Sequence, residues 1–222
     1  MARTAVDLDL SLYLVTDVDA VAATGRDLVD TAVAAVTGGA TTVQLRAKHL
    51  PVREQVELTL RLADALPTDT PLLVNDRVDV VLAARARGAR VAGVHLGQTD
   101  LDPADARALL GPDAALGLST GTPARVRAAA AAGVVDYLGL GAFRPTATKP
   151  DAPPALGLDG VAALVRASPL PTVAIGGIGP ADAAALRRTG VGGIAVVSAV
   201  CAAPDPRAAA AALATAWAEA SA

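Results

Sequence analysis

Aromatic side chains are almost missing from this chain: its 222 residues include two tyrosines, one phenylalanine and one tryptophan. Single-stranded nucleic acid is gripped by stacking successive bases on such rings, so that partner class loses its platform. Positive charge is equally scarce. Nineteen Lys and Arg against 22 Asp and Glu leave a net charge of -3, and no basic field exists to hold a duplex. The one cysteine, Cys201, cannot close an internal disulfide, which fits a reducing compartment; it reads as a small buried side chain at a strand end. No apolar run reaches membrane-spanning length, and the first ten residues, with Arg3, Asp7 and Asp9, lack the apolar core of a signal peptide. No stretch rich in Gly, Ser or Pro divides the chain. The expectation is one soluble cytoplasmic domain over residues 1–222, with neither nucleic acid nor membrane as partner.

What is present is an alternation. Short apolar runs predict strands at Leu12–Val15, Val43–Lys48, Leu72–Val74, Gly93–Gly97, Leu116–Ser119, Tyr137–Leu140, Thr172–Ile175 and Gly193–Val197. Helical periodicity fills the gaps over 27–37, 52–66, 78–87, 103–110, 123–132, from about Leu158, over 181–189 and over 207–219. Most of these strands are short and apolar, as suits a parallel sheet covered on both faces. Eight such units in this length predict a (β/α)8 TIM barrel. The alternative, an open doubly wound sheet, often carries a G-x-G-x-x-G turn after its first strand; Thr16-Asp17-Val18-Asp19 is unlike it.

The second strand organises the rest. With side chains alternating, Val43, Leu45 and Ala47 share an apolar face, and Gln44, Arg46 and Lys48 share the other. Two cations with no acidic neighbour in the strand make sense where that face receives an anion. In a barrel, chemistry sits at the C-terminal ends of the strands, and the polar residues collect there: Asp17, Arg46, Lys48, Asn75, Asp76, Asp100, Ser119, Thr146, Thr148, Lys149 and Ser198. Arg46, Lys48 and Lys149 suit phosphate oxygens. Gly176-Gly177-Ile178-Gly179 and Val197-Ser198 offer backbone N–H groups where this architecture often cradles phosphate. Asp76 and Asp100 would repel such an anion unless a hard cation stood between, which describes Mg²⁺; read singly, each is a turn-former or a helix cap. Residues 143–157, with four prolines, form a connection long enough to be a lid.

Taken together, Gln44-Leu45-Arg46-Ala47-Lys48, Asn75-Asp76, His95-Leu96-Gly97-Gln98-Thr99-Asp100, Gly117-Leu118-Ser119-Thr120, Thr146-Ala147-Thr148-Lys149, Ala174-Ile175-Gly176-Gly177-Ile178 and Ala195-Val196-Val197-Ser198 closely resemble the thiamine phosphate synthase family. The resemblance runs in register from about Leu12 to Val200. It implies an enzyme joining a hydroxymethylpyrimidine diphosphate to a thiazole phosphate, giving thiamine phosphate and pyrophosphate. Carried over by position, it implies that Gln44, Arg46, Lys48, Asn75, Ser119 and Lys149 bind the pyrimidine diphosphate, with Leu45 and Ala47 lining the segment through backbone. Arg46, Lys48 and Lys149 would stabilise the leaving group, and Asp76 and Asp100 would hold Mg²⁺. Thr146, Ala147, Thr148, Gly177, Val197 and Ser198 would contact the thiazole phosphate.

Departures from the family pattern fall at Ala47, where Glu is common, at Gly121, where His is common, and at Phe143-Arg144-Pro145. Neither a Ser–His–Asp nor a Cys–His arrangement is evident, and His49 and His95 read as structural. The family chemistry needs neither a protein nucleophile nor a strong base. Two other readings stay open: a thiazole tautomerase paralogue, which would lack much of the cation and carboxylate set, and a catalytically idle phosphate-binding barrel. Whether copies of the chain associate into a homo-oligomer is left open as well.

Overall fold

A computed structural model describes residues 8–145 and 155–220. Its strands are β1 (Leu12–Val15), β2 (Thr42–Leu45), β3 (Leu72–Asn75), β4 (Gly93–Leu96), β5 (Ala115–Thr120), β6 (Tyr137–Gly141), β7 (Thr172–Ile175) and β8 (Gly193–Val196). They pair in sequence order, all parallel, and β8 closes on β1. The helices are α1 (Val18–Ala22), α2 (Leu28–Thr37), α3 (Val52–Ala65), α4 (Val78–Ala86), α5 (Pro103–Leu110), α6 (Pro123–Ala132), α7 (Gly157–Ala167), α8 (Ala183–Arg187), α9 (Ser198–Cys201) and α10 (Pro206–Glu219). This is the expected (β/α)8 barrel.

Local chemistry sets the helix starts. Asp27 caps α2 by accepting from Val29 N and Asp30 N, and Asp102 caps α5 by accepting from Ala104 N ahead of Pro103. A side-chain oxygen there satisfies backbone donors that lack an intrahelical partner, and a proline at the first helical position loses nothing by lacking one. Gly133 ends α6 in the left-handed region, at φ 65°, where a Cβ would be strained.

Side-chain alternation divides the apolar residues into two layers. Leu12, Leu14, Val43, Leu45, Val74, Val94 and Leu116 belong to the large outer core between sheet and helices. Tyr13, Val15, Leu73, Ala115, Tyr137, Val173 and Ala195 fill the barrel itself. Ala47 lies in the outer layer, on the face expected for it.

Several boundaries differ from expectation. β2 ends at Leu45 rather than Lys48. Thr16 N donates to Gln44 O at 2.9 Å, and Arg46 N then turns to the Thr16 hydroxyl at 3.0 Å, so a side chain captures the next ladder donor and the strand stops. The segment expected to be helical over 181–189 begins as a 3₁₀ turn, Pro180–Asp182, and continues only to Arg187. The Asp182 carboxylate accepts from Gly179 N at 2.9 Å and holds that turn tight. Two short helices, α1 and α9, follow the first and last strands unannounced. No helix among the described residues is long and apolar enough to cross a membrane.

Candidate active site

The segment after β2 and the loop after β3 meet over the barrel mouth. Lys48 Nζ lies 2.9 Å from Asp76 Oδ2, and Arg46 Nη1 lies 3.2 Å from Asp17 Oδ2. The cations that lacked a partner within their own strand therefore find carboxylates on the loops to either side. Asp17 is itself fixed, because its other oxygen caps α1 by accepting from Ala20 N at 3.0 Å.

Asp76 has a positive φ of 62°, which a residue with a Cβ adopts only at a cost of about 1–3 kcal/mol. Its N–H donates to His95 O at 2.8 Å, which pins the turn and sends the chain across the end of β4. Asp100 is held from the opposite loop, accepting from Gly97 N at 2.7 Å. Asp76 and Asp100 line the same cavity. Burial first, and the facing Asp76 second, push the Asp100 carboxyl above the usual carboxylate range. A cavity of about 210 Å³ opens here, lined by Ala47, Lys48, Asn75, Asp76 and Asp100.

That geometry fits a hard divalent cation. Two carboxylates on one cavity, with Asp100 raised by burial and by its neighbour, favour a positive charge beside them. Among the described residues there is no group of three His, Cys, Asp or Glu side chains suited to a metal, and Asp76 and Asp100 are the carboxylates that line this cavity. Mg²⁺ is commonly bound in that way, by one or two carboxylates completed with water and ligand phosphate.

A second cluster lies after β6, β7 and β8. Gly176 and Gly177 take φ values of 111° and 65°, a run only glycine follows without strain. Arg144 grips this turn: its backbone N–H donates to Gly176 O at 3.0 Å, and its guanidinium reaches Gly177 O at 3.2 Å and Asp182 Oδ2 at 2.6 Å. Val197 and Ser198 open α9, and the leading N–H groups of a helix lack intrahelical partners. Thr146, Ala147, Thr148 and Lys149, with most of the expected lid, lie outside the described residues.

Below the mouth, Gln44 and Ser119 join one buried chain. Gln44 Nε2 lies 2.6 Å from Tyr13 Oη, which lies 2.9 Å from Tyr137 Oη. Tyr137 Oη lies 2.9 Å from His95 Nδ1, and His95 Nε2 lies 2.9 Å from Ser119 Oγ. Both tyrosines are buried to 1% exposure. Glycines on β5 and β6 make the room: a Cβ on Gly117 would overlap the Tyr137 ring and His95, and one on Gly139 would sit 3.0 Å from His95 Cε1. Gly117→Ala is therefore expected to cost about 1–3 kcal/mol, as overpacking of a filled core does, read as a lower midpoint in urea unfolding.

The structure thus brings Gln44, Arg46, Lys48, Asn75, Asp76, Asp100 and Ser119 to one end of the barrel, and Gly177, Val197 and Ser198 to the neighbouring loops. Leu45 is buried in the outer layer, as a backbone-only role requires. Cys201 is wholly buried and burial pushes its thiol up to about 11, so it stays a packing residue. Sequence reasoning missed the partnership of Asp17 with Arg46, the cavity wall supplied by Gln55 and Arg77, and the chain through Tyr13, Tyr137 and His95. The chain's only two tyrosines do lie on short strands, Tyr13 second on β1 and Tyr137 first on β6, both at inward-facing positions, but neither strand names its partner. A second cavity, of about 230 Å³, lies between α5 and α6 and contains none of these residues.

Comparison with known proteins agrees with this geometry. The family described as thiamine monophosphate synthase matches residues 12–200. A thiamine-phosphate synthase of Xanthobacter autotrophicus is 52% identical over 206 residues, covering 92% of this chain and 94% of that one. Another, from Corynebacterium efficiens, is 51% identical over 180 residues, covering 81% and 83%. Among solved structures, thiamine phosphate pyrophosphorylase from Pyrococcus furiosus superposes with a TM-score of 0.83 at 35% identity, covering 96% of this chain and 97% of that one. A 3-hexulose-6-phosphate synthase, with a TM-score of 0.69 at 18% identity, shares the fold.

Proposed function

We propose a function from one premise: the chain belongs to the thiamine monophosphate synthase family. It is a transferase that condenses 4-amino-2-methyl-5-(diphosphooxymethyl)pyrimidine with thiazole phosphate to give thiamine phosphate and pyrophosphate. Both substrates are small molecules, and the cytoplasm is the compartment that suits them. The observation that carries the assignment of the site is the convergence of Lys48, Asn75, Asp76 and Asp100 on one cavity at the mouth of the barrel.

In this reading Arg46, Lys48 and Lys149 hold the diphosphate oxygens, and Asn75, Gln44 and Ser119 orient the pyrimidine half. Asp76 and Asp100 would hold Mg²⁺, which would supply Lewis-acid neutralisation of the diphosphate. The C–O bond to pyrophosphate breaks, the aminopyrimidine stabilises the cation left at its methylene carbon, and the thiazole nitrogen forms the new C–N bond. No protein nucleophile takes part. The residues act by stabilising charge where it grows and by holding two reactants in line. The set of cations and carboxylates at the mouth favours this over tautomerisation of a thiazole phosphate, which needs no diphosphate site.

Incubation of the protein with both substrates and Mg²⁺ tests the assignment. Thiamine phosphate by mass and pyrophosphate in equal amount are expected, and binding of either substrate without turnover would support the idle barrel.

Gly177, Val197 and Ser198 cradle the thiazole phosphate through backbone N–H groups, and Thr146, Ala147 and Thr148 are further contacts to it. Gly177→Val should raise the KM for thiazole phosphate by about tenfold or more, since β-branched bulk at positive φ distorts the cradle. Ser198→Ala keeps the backbone donor and should change it less than about threefold, a hydroxyl contact being worth about 1 kcal/mol at most here. Equal effects on both variants, appearing in the KM of the diphosphate, would remove this assignment.

A further inference from the structure

Four hydrogen bonds inside the barrel link Gln44 to Ser119, and the Gln44 amide, with its Nε2 toward Tyr13, gives them a direction. Gln44 Nε2 can only donate, so Tyr13 Oη, 2.6 Å away, accepts. A phenol carries one hydrogen, and that of Tyr13 goes to Tyr137 Oη at 2.9 Å. Tyr137 Oη, now an acceptor, gives its own hydrogen to His95 Nδ1 at 2.9 Å. An imidazole accepting at Nδ1 carries its proton on Nε2 when neutral, and Nε2 faces Ser119 Oγ at 2.9 Å. Ser119 Oγ therefore accepts from below, and its hydroxyl hydrogen is left for a group above. Burial pushes both phenols well above their ordinary range, so neither drops out of the chain by ionising.

The reverse direction is equally complete. If the Gln44 amide turned its oxygen to Tyr13, each hydrogen would flip, His95 would carry its proton on Nδ1, and Ser119 would donate downward. Its oxygen would then offer only lone pairs to a ligand. Mixed arrangements leave a buried phenol with two donors facing each other or two acceptors, which costs about 1–3 kcal/mol per unmade bond. The chain thus has two self-consistent polarities, and the orientation of one amide at β2 decides the chemistry offered by one hydroxyl at β5.

We propose that Tyr13, Tyr137 and His95 are positioning residues that fix Ser119 as a hydrogen-bond donor to the pyrimidine diphosphate. The substrate atom opposite Ser119 is accordingly one with a lone pair, an unprotonated ring nitrogen or an ester or phosphate oxygen, and an analogue presenting N–H there is refused. Gly117 and Gly139 belong to the same device, since any side chain at the first would displace the His95 ring. The identity of the ligand rests on the function proposed above; the polarity does not.

The test therefore begins without substrate. Protein labelled with ¹⁵N in its histidine rings contains two of them, His49 and His95, so long-range ¹H–¹⁵N spectra assign directly. At a pH where His95 is neutral, it should be a single tautomer protonated at Nε2. A single Nδ1-protonated form, or a mixture of the two, would overturn the proposal. Tyr137→Phe removes the donor to Nδ1, and should convert the single tautomer to a mixture while raising the KM for the pyrimidine diphosphate about fivefold, the value of one net hydrogen bond. The KM for thiazole phosphate should stay unchanged. A Tyr137→Phe protein with unaltered tautomer and unaltered KM would also overturn it. Should that variant not fold, the spectrum of the unaltered protein decides alone. Absence of thiamine phosphate formation with the Nε2 tautomer in place would sink the function and leave the polarity standing.

Discussion

Replacing Asp76 or Asp100 by asparagine should lower kcat/KM for the pyrimidine diphosphate by about a thousandfold at low Mg²⁺, and replacing both should lower it little further. A metal acting as Lewis acid on a diphosphate supplies several kcal/mol, which is about that factor in rate. The two carboxyl groups come from different loops, after β3 and β4, and line one cavity, with Asp100 pushed upward by burial and by its neighbour. Groups that hold one ion act as a unit, so their losses do not add. The Asn variants retain a neutral oxygen ligand, and raising the Mg²⁺ concentration should recover part of the activity of either single variant. Measuring kcat/KM against Mg²⁺ for the two singles and the double checks this. Losses that multiply, with an unchanged Mg²⁺ requirement, would remove both residues from the metal site. Lys48 tightens the test: its ammonium lies 2.9 Å from Asp76, so Asp76→Asn also releases that lysine. The Asp100 single variant is the cleaner of the two.

The barrel was legible because most of its parallel strands are short and apolar and are separated by helices, several of them capped by side chains. Which side of β2 faces inward was legible too, since alternation alone places Val43 and Leu45 in the outer layer and Gln44 in the interior. Where β2 stops was not, because the Thr16 hydroxyl, on another strand, takes the Arg46 N–H. The helices α1 and α9, of five and four residues, are too short to show a period. The carboxylate partners of Arg46 and Lys48 come from the loops after β1 and β3, and only closure of the sheet brings them alongside. The buried chain is the strongest case: Tyr13 and Tyr137 stand 124 residues apart, and nothing local in either strand announces the other. His95, read as structural, proves to touch Ser119 directly. The rim was readable as a set of residue types, but its pairing was not.

Arg46→Ala should reduce kcat by about a hundredfold to a thousandfold, the usual loss when a preorganised donor to a growing negative charge is removed. Arg46→Lys should recover only part of it. A guanidinium is a planar fork that meets two phosphate oxygens at once, whereas an ammonium is a point charge on a flexible stem. What orients the fork is Asp17, whose Oδ2 lies 3.2 Å from Arg46 Nη1 while its Oδ1 is occupied in capping α1. The backbone of Arg46 is held at the same time, through its N–H to the Thr16 hydroxyl. Both restraints come from the two residues that follow β1, so the arginine is aimed by the first strand although it follows the second. Asp17→Asn keeps the cap, because the amide oxygen still accepts from Ala20 N, and loses the charge partner. It should therefore leave the unfolding midpoint almost unmoved and lower kcat about tenfold, with the loss vanishing in the Arg46→Ala background, where there is no fork left to orient. The double-variant cycle, measured as kcat with both substrates saturating, decides it: an Asp17→Asn loss of equal size in both backgrounds would mean that Asp17 acts on turnover by some route other than Arg46.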